Sequence, residues 1–329
     1  MKDRRTFLKK IAAVTSGLMI PQIDVTGKPI IRRDKWGELL PLRKLGKTGE
    51  EVTMLGVGGA HVGRSDERTA QEIIEKAMEG GVRFFDNAES YQNGRAERYY
   101  GKFLVPKYRE NVFIMTKSTG ADRETAQSHM EGSLRRMNVD YIDLWQIHSV
   151  RTPQDVDNRI ENGLLDLALE AKTSGKVRHV GFTGHTSYQA HLRMLEQTDV
   201  LETCQMPINM FDPNYKSFIR NVLPQLIEKN VGVIAMKTLS NGGFFGGTTH
   251  YQNGGEPKII PDKATIEEAL HFVWSLPVSV LVTGAEDAEM LQEKIDLAKS
   301  FVGMDEEQRL DLIDRVAGFD GSKVEYYKS

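Results

Sequence analysis

An α/β fold, a closed (β/α)8 TIM barrel, is predicted by three features of the 329-residue sequence. From about Leu40 onward, short β-branched runs alternate with longer amphipathic stretches, the pattern of repeated βα units that build a parallel sheet. Eight such pairs fit within about 260 residues, more strands than an open doubly wound sheet usually carries and close to the usual length of a barrel. No linker or low-complexity segment divides this run.

The elements follow in order. Arg4 and Arg5, then Phe7, Leu8, Lys9 and Lys10, make a basic head, and the weakly apolar run 11–20 after it is stopped by Pro21. This looks like a twin-arginine export signal, which implies the export machinery as a partner and a periplasmic or otherwise exported location. The alternative is the basic amphipathic start of a cytoplasmic chain. The apolar run is about half of the roughly 20 residues a membrane-crossing helix needs and contains Ser, Thr and Gly, so no permanent membrane anchor is expected. Residues 40–52, with Gly46, Lys47, Thr48 and Gly49 at their middle, read as a hairpin able to plug the bottom of the barrel. Strands are expected at 53–57, 82–86, 112–116, 142–147, 177–182, 203–206, 231–236 and 278–282. Helices are expected near 67–79, 95–104, 123–137, 160–174, 187–197, 217–229, 265–275 and 287–302. The connection 237–265 is long and carries Gly242, Gly243, Gly246, Gly247, Gly254 and Gly255, the mark of a functional loop. Beyond it, 305–316 reads as an amphipathic helix of a C-terminal extension, with packing against the barrel as its expected role. The domains are therefore 1–30 signal and linker, 40–302 barrel, and 303–329 helical tail.

Composition narrows the function classes. Basic and acidic side chains number 43 and 46, a net charge of -3, which argues against a nucleic-acid partner. Mean hydropathy of -0.41 and 27% charged residues describe an ordinary soluble globular chain. The single cysteine, Cys204, excludes an intrachain disulfide and the cysteine-rich zinc sites.

Chemistry is expected where barrel strands end. The second strand ends at Asp86 with Tyr91 five residues on, the third ends at Lys117, and the fourth runs into His148. A nearby ammonium stabilises phenolate and makes the tyrosine a better proton donor, while a carboxylate keeps that ammonium charged. A carbonyl oxygen held by Tyr91 and His148 would be polarised as negative charge develops on it. Taken singly, Asp86 reads as a helix cap, Tyr91 as a core aromatic, Lys117 as a solvated strand end and His148 as a buried structural histidine. Their joint placement at matching strand ends favours a common site.

The sequence resembles the aldo-keto reductase family. The resemblance runs from about Leu40 to Val302 and is carried by Gly81 to Tyr91 (GVRFFDNAESY), by Gly94, Glu97 and Gly101, by Val112 to Lys117, and by Tyr141 to His148. Gly175 to Arg178, Gly181 to Thr183, Gln205, Asn209 and Gly232 to Lys237 extend it. The resemblance implies an NAD(P)-dependent oxidoreductase that passes a hydride between a nicotinamide cofactor, NADPH or NADH, and a small-molecule carbonyl or alcohol, without metal. In that role Tyr91 would be the general acid, Lys117 and Asp86 would tune it, and His148 would orient the carbonyl. It also implies cofactor contacts from Thr183, Gln205, Met236, Lys237, Gly284 and Asp287. Gly184 stands where the family usually has an amide side chain, and Met236 where it often stacks an aromatic ring. No basic residue stands at 284–290, and Glu286 and Asp287 would repel a 2′-phosphate. Two other readings are a cofactor-binding redox sensor or scaffold of low turnover, and a metal-dependent hydrolase on the same barrel. The hydrolase would need a His-x-His at the first strand, where His61 stands alone.

Overall fold

The computed structural model describes residues 31–245 and 263–328. The expected export signal and the segment holding Gly246, Gly247, Gly254 and Gly255 lie outside the described residues. Two hairpins come first, β1 (Arg33–Asp34) with β2 (Gly37–Glu38), and β3 (Leu42–Lys44) with β4 (Glu51–Thr53). Eight parallel strands then close into a barrel: β5 (Leu55–Gly58), β6 (Phe84–Asp86), β7 (Phe113–Ser118), β8 (Ile142–Ile147), β9 (Val177–Thr183), β10 (Thr203–Pro207), β11 (Gly232–Met236) and β12 (Val280–Thr283). β12 pairs with β5 and β9 with β10, so the barrel has no free edge. The expected (β/α)8 barrel with an N-terminal hairpin and a C-terminal helical extension is the observed fold.

The second hairpin seals the bottom. Leu45, fully buried at its turn, packs into an interior cluster with Val52, Phe84, Phe113, Met115, Leu144, Ile234 and Val280. Burying such a leucine contributes about 2 kcal/mol. The next residue has to be glycine, because Gly46 has φ +53° and a Cβ there would meet the Gly232 nitrogen at 2.2 Å. The first hairpin was not expected, since two-residue strands are too short to show a periodicity. An ion pair holds it, the Arg83 guanidinium donating to the Asp34 carboxylate at 2.7 and 3.0 Å.

Helix boundaries follow local chemistry. Asp66, Asp122, Ser187 and Asp287 accept backbone N–H groups at the starts of Glu67–Glu79, Arg123–Met137, Tyr188–Gln197 and Ala288–Lys299. Thr265 and Glu268 form a reciprocal capping box before Ile266–Trp274. Two helices expected to be continuous are broken. Gly163, at φ +81°, separates Pro153–Glu161 from Leu164–Thr173, and Pro224 stands at the join between Phe218–Asn221 and Leu223–Glu228. The stretch 149–159, between the expected fourth strand and the helix near 160–174, is therefore largely helical from Pro153. The helix near 95–104 is Arg95–Tyr99 followed by one π-turn at Tyr100–Leu104.

The tail does more than pack a helix outside the barrel. After Glu306–Arg315 the chain reaches the loops that follow β9, β10 and β11 and ends in a buried polar knot. The fully buried Lys328 ammonium donates to Asp212 at 2.6 Å, to Glu325 at 2.8 Å and to the Tyr215 carbonyl at 2.9 Å. Asn209 donates to Glu325 at 2.8 Å and to the Tyr327 hydroxyl at 3.0 Å. Burial, and then the Asp212 carboxylate, raise the Glu325 carboxyl to about 7. Between its unfolded value and about 7 the docked tail binds more protons than the free tail, so docking weakens as pH rises through that window. Hydrogen exchange in 320–328, corrected for intrinsic rates, should accelerate between pH 5 and pH 7.5. Glu325→Gln should flatten the dependence, and a flat wild-type profile would show that Glu325 does not couple to docking.

Candidate active site

The loop after β6 presents Tyr91 because the chain reverses there. Gln92, Asn93 and Gly94 have φ of 47°, 54° and 76°, and the Tyr91 carbonyl accepts the Gly94 N–H at 3.1 Å. Glu97, fully buried, pins this loop to its neighbours by accepting from the Thr116 hydroxyl and from Arg136 Nε, each at 2.6 Å. Parallel register sets Asp86 of β6 beside Met115 of β7 and Lys117 of β7 beside Gln146 of β8. The C-terminal ends of these strands thus lie on one rim.

At that rim the Lys117 ammonium, 1% exposed, has three acceptors for its three protons. It donates to Asp86 Oδ1 at 2.5 Å, to the Asn87 carbonyl at 2.5 Å and to the Tyr91 hydroxyl oxygen at 3.2 Å. Burial pushes the Asp86 carboxyl up and the Lys117 ammonium down, while their mutual attraction opposes both shifts. Gln205 Nε2 donates to the same Asp86 oxygen at 3.2 Å, a link from β10 that the sequence did not reveal. The His148 ring stands edge-on to Tyr91, with centroids 6.2 Å apart at 84°. Desolvation first, and then Coulombic repulsion from Lys117, with His185, Arg159 and Lys237 adding to it, hold its pKa well below the usual histidine value. Asp86, Tyr91, Lys117 and His148 are therefore brought together as four groups around one point. The arrangement offers a phenol next to a fixed cation and a neutral imidazole, the parts needed to hold and protonate an oxygen.

The six expected cofactor contacts spread along the same rim. Thr183 and Gln205 are register partners on β9 and β10, and Pro207 pairs with Met236 at the end of β11. Lys237 follows with φ 58°, its ammonium 5.1 Å from the Tyr327 ring centroid, and burial lowers it to about 8. His185 contacts the Tyr327 carbonyl at 3.3 Å, so the tail walls this side of the rim. Gly184 has no room for the amide side chain usual there, since a Cβ would meet His191 and the Val150 carbonyl at 2.6 Å. Gly284 is likewise confined by the His61 ring. Asp287 is exposed and caps its helix through the Met290 N–H at 2.8 Å. Lys294, absent from the sequence-based site, is buried and donates to the Gly284 carbonyl. Gln205 Oε1, Thr238 Oγ1 and Ser240 Oγ are buried without a partner among the described residues. One amide oxygen that accepts and two hydroxyls that can donate thus stand unpaired next to the rim, a set that a ligand with amide and oxyanion groups, such as a nicotinamide dinucleotide, would fit.

Residues 54–300 match the sequence profile of the Aldo/keto reductase family. Among curated relatives, an uncharacterized oxidoreductase of Bacillus subtilis, YrpG, is 28% identical over 64% of this chain and 70% of its own length. The L-glyceraldehyde 3-phosphate reductase of Escherichia coli is 27% identical over 64% of each chain. The L-galactose dehydrogenase of Arabidopsis thaliana is 27% identical over 62% of this chain and 66% of its own. The holo form of aldo-keto reductase AKR11C1 from Bacillus halodurans shares the fold at 20% identity, with a TM-score of 0.70 over 88% of this chain and all of that one.

Proposed function

Because the chain belongs to the aldo/keto reductase family, we propose that it reduces an aldehyde or ketone to an alcohol, or runs the reverse reaction, with Tyr91 as general acid. The observation that carries this reading is the Lys117 ammonium, held by Asp86 and Asn87 and 3.2 Å from the Tyr91 hydroxyl. The family generally uses NAD(P)H, and a bound nicotinamide supplies or accepts the hydride. The protein's own residues manage the oxygen. Tyr91 and His148 hold the carbonyl, Tyr91 gives up its proton as negative charge grows there, and Lys117 stabilises the phenolate left behind. Asp86 stays paired with Lys117 and keeps that cation in place. The names of two relatives, a reductase and a dehydrogenase, support chemistry in either direction. Tyr91→Phe should lower turnover by about two to four orders of magnitude with cofactor affinity nearly unchanged. A variant that turns over near the wild-type rate would sink the assignment.

The cofactor is read as NADH at least as readily as NADPH. Glu286 and Asp287 are exposed just beyond β12, in the segment where the resemblance puts cofactor contacts, and carboxylates within about a Debye length, roughly 8 to 10 Å, of a 2′-phosphate would disfavour it. Lys294 faces them from the buried side: its ammonium donates to the Gly284 carbonyl, and burial lowers it to about 8 against the attraction of Glu293, Glu286 and Asp287. Titrating both reduced cofactors in the same salt decides the matter, and a preference for NADPH above about tenfold would overturn the reading.

The basic head and apolar run of residues 4–20 support export of the folded chain through the twin-arginine route. Replacing Arg4 and Arg5 by lysine should retain the full-length protein in the cytoplasm of a twin-arginine-competent host. Unchanged fractionation of that variant would remove the export reading.

A further inference from the structure

Thr183 was expected to hold a cofactor, yet its side chain is engaged elsewhere. The parallel register sets Gln146 beside Gly181 and Ile147 beside Phe182. One step further along both strands, Thr183 and His148 come side by side. Thr183 Oγ1 lies 2.8 Å from His148 Nδ1 and accepts the Ser149 N–H at 3.0 Å. The Thr183 carbonyl accepts the Val150 N–H at 2.8 Å. Ser149 takes a left-handed conformation, φ 60°, and this bend wraps 148–150 around the threonine. The His148 backbone is also held from two other sides, its N–H donating to the Ser118 carbonyl at 2.8 Å and its carbonyl accepting from Arg159 Nη1 at 3.2 Å. Backbone contacts therefore fix where the histidine sits, and the threonine hydroxyl is the group that meets its ring nitrogen.

A count of protons decides the direction of that contact. A threonine hydroxyl has one proton to give and two lone pairs to fill. The Ser149 N–H takes one lone pair. Among the described residues, the other hydrogen-bond partner of Oγ1 is His148 Nδ1. Were Nδ1 to carry the ring proton and donate, the hydroxyl proton of a residue only 1% exposed would have no acceptor among them. The reverse direction satisfies both groups. The ring carries a single proton in either case, since desolvation and the surrounding cations disfavour the imidazolium.

We propose that Thr183 is a positioning residue that fixes the tautomer of His148: its hydroxyl donates to Nδ1, so Nε2 keeps the ring proton and offers an N–H to the substrate's carbonyl oxygen. The final step rests on the carbonyl-reductase reading, whereas the tautomer does not. The opposite tautomer would turn a bare Nε2 lone pair towards an oxygen gathering negative charge, which repels it. Selection of the tautomer is a demand on one hydroxyl proton, so serine can meet it and valine, of nearly the same shape, cannot.

Long-range ¹H–¹⁵N correlation spectra of the full chain labelled with ¹⁵N-histidine test this directly, with the His148 signal identified by its loss in His148→Gln. The wild type should show the neutral Nε2–H tautomer at pH 7, with and without cofactor. Thr183→Val should lose that preference and lower kcat on a neutral aldehyde about tenfold while KM for the cofactor stays unchanged. Thr183→Ser should restore the wild-type spectrum. A wild-type Nδ1–H tautomer overturns the proposal whether or not the valine variant folds. So does a Thr183→Val protein that keeps the Nε2–H pattern, and a raised cofactor KM in that protein would then assign Thr183 to cofactor binding. Absence of any wild-type aldehyde turnover with either cofactor would instead overturn the reductase reading, and the tautomer result would stand apart from it.

Discussion

The Lys117 ammonium, buried at the barrel rim and divided among Asp86, the Asn87 carbonyl and Tyr91, is the constraint around which the site is built. A cation taken out of water is costly unless its protons find acceptors, and removing one partner of a buried pair typically costs about 3–5 kcal/mol. The surroundings meet that demand from several elements at once. Asp86 comes from β6, Asn87 from the backbone just beyond it, Tyr91 from the reversed loop, and Gln205 reaches Asp86 across the barrel from β10. The three acceptors thus come from β6 and the loop after it, and Gln205 ties the carboxylate of the pair to the far side of the closed barrel.

Around that centre the rim is stiffened by polar contacts that cross between loops. Glu97 ties the Tyr91 loop to β7 and to the Arg123–Met137 helix, and Glu89 accepts from the Thr119 backbone and hydroxyl at 2.9 and 2.5 Å. Arg159 bridges the carbonyls of Gly120 and His148, joining the loops after β7 and β8. These contacts bind neighbouring loops and elements to one another rather than touching the reacting groups, which suits a site whose geometry must hold while charge moves through it. On the opposite side the rim is walled by the tail, where Tyr327 meets His185 and Lys237. That wall depends on the buried Asp212, Glu325 and Lys328, ionisable groups from two segments more than a hundred residues apart.

Much of this was legible before any coordinates. Alternating runs marked all eight barrel strands to within a few residues, because each strand is buried on both faces and each helix shows its own period. Caps such as Asp122 and Thr265 mark helix starts for local reasons, an oxygen side chain meeting the N–H groups of the next turn. The four residues of the site could be named because strand ends in a closed barrel share one rim, so order along the chain implies proximity. Breaks at Gly163 and Pro224 were equally local, yet the amphipathic period on both sides of each concealed them.

What the sequence determined by itself is thus whatever depends on near neighbours: the alternation of strands and helices, the turn at Gly46, the caps, and which chemistries leave which strand. The tertiary structure decided what depends on register and on meetings between distant segments. Whether Thr183 meets His148 turns on how β8 pairs with β9. Whether the final residues lie outside the barrel or on its rim turns on Lys328 finding Asp212. No local pattern carries either choice, because a hydrogen bond between distant residues is selected by the cost of leaving a buried polar group unpaired once the barrel has closed.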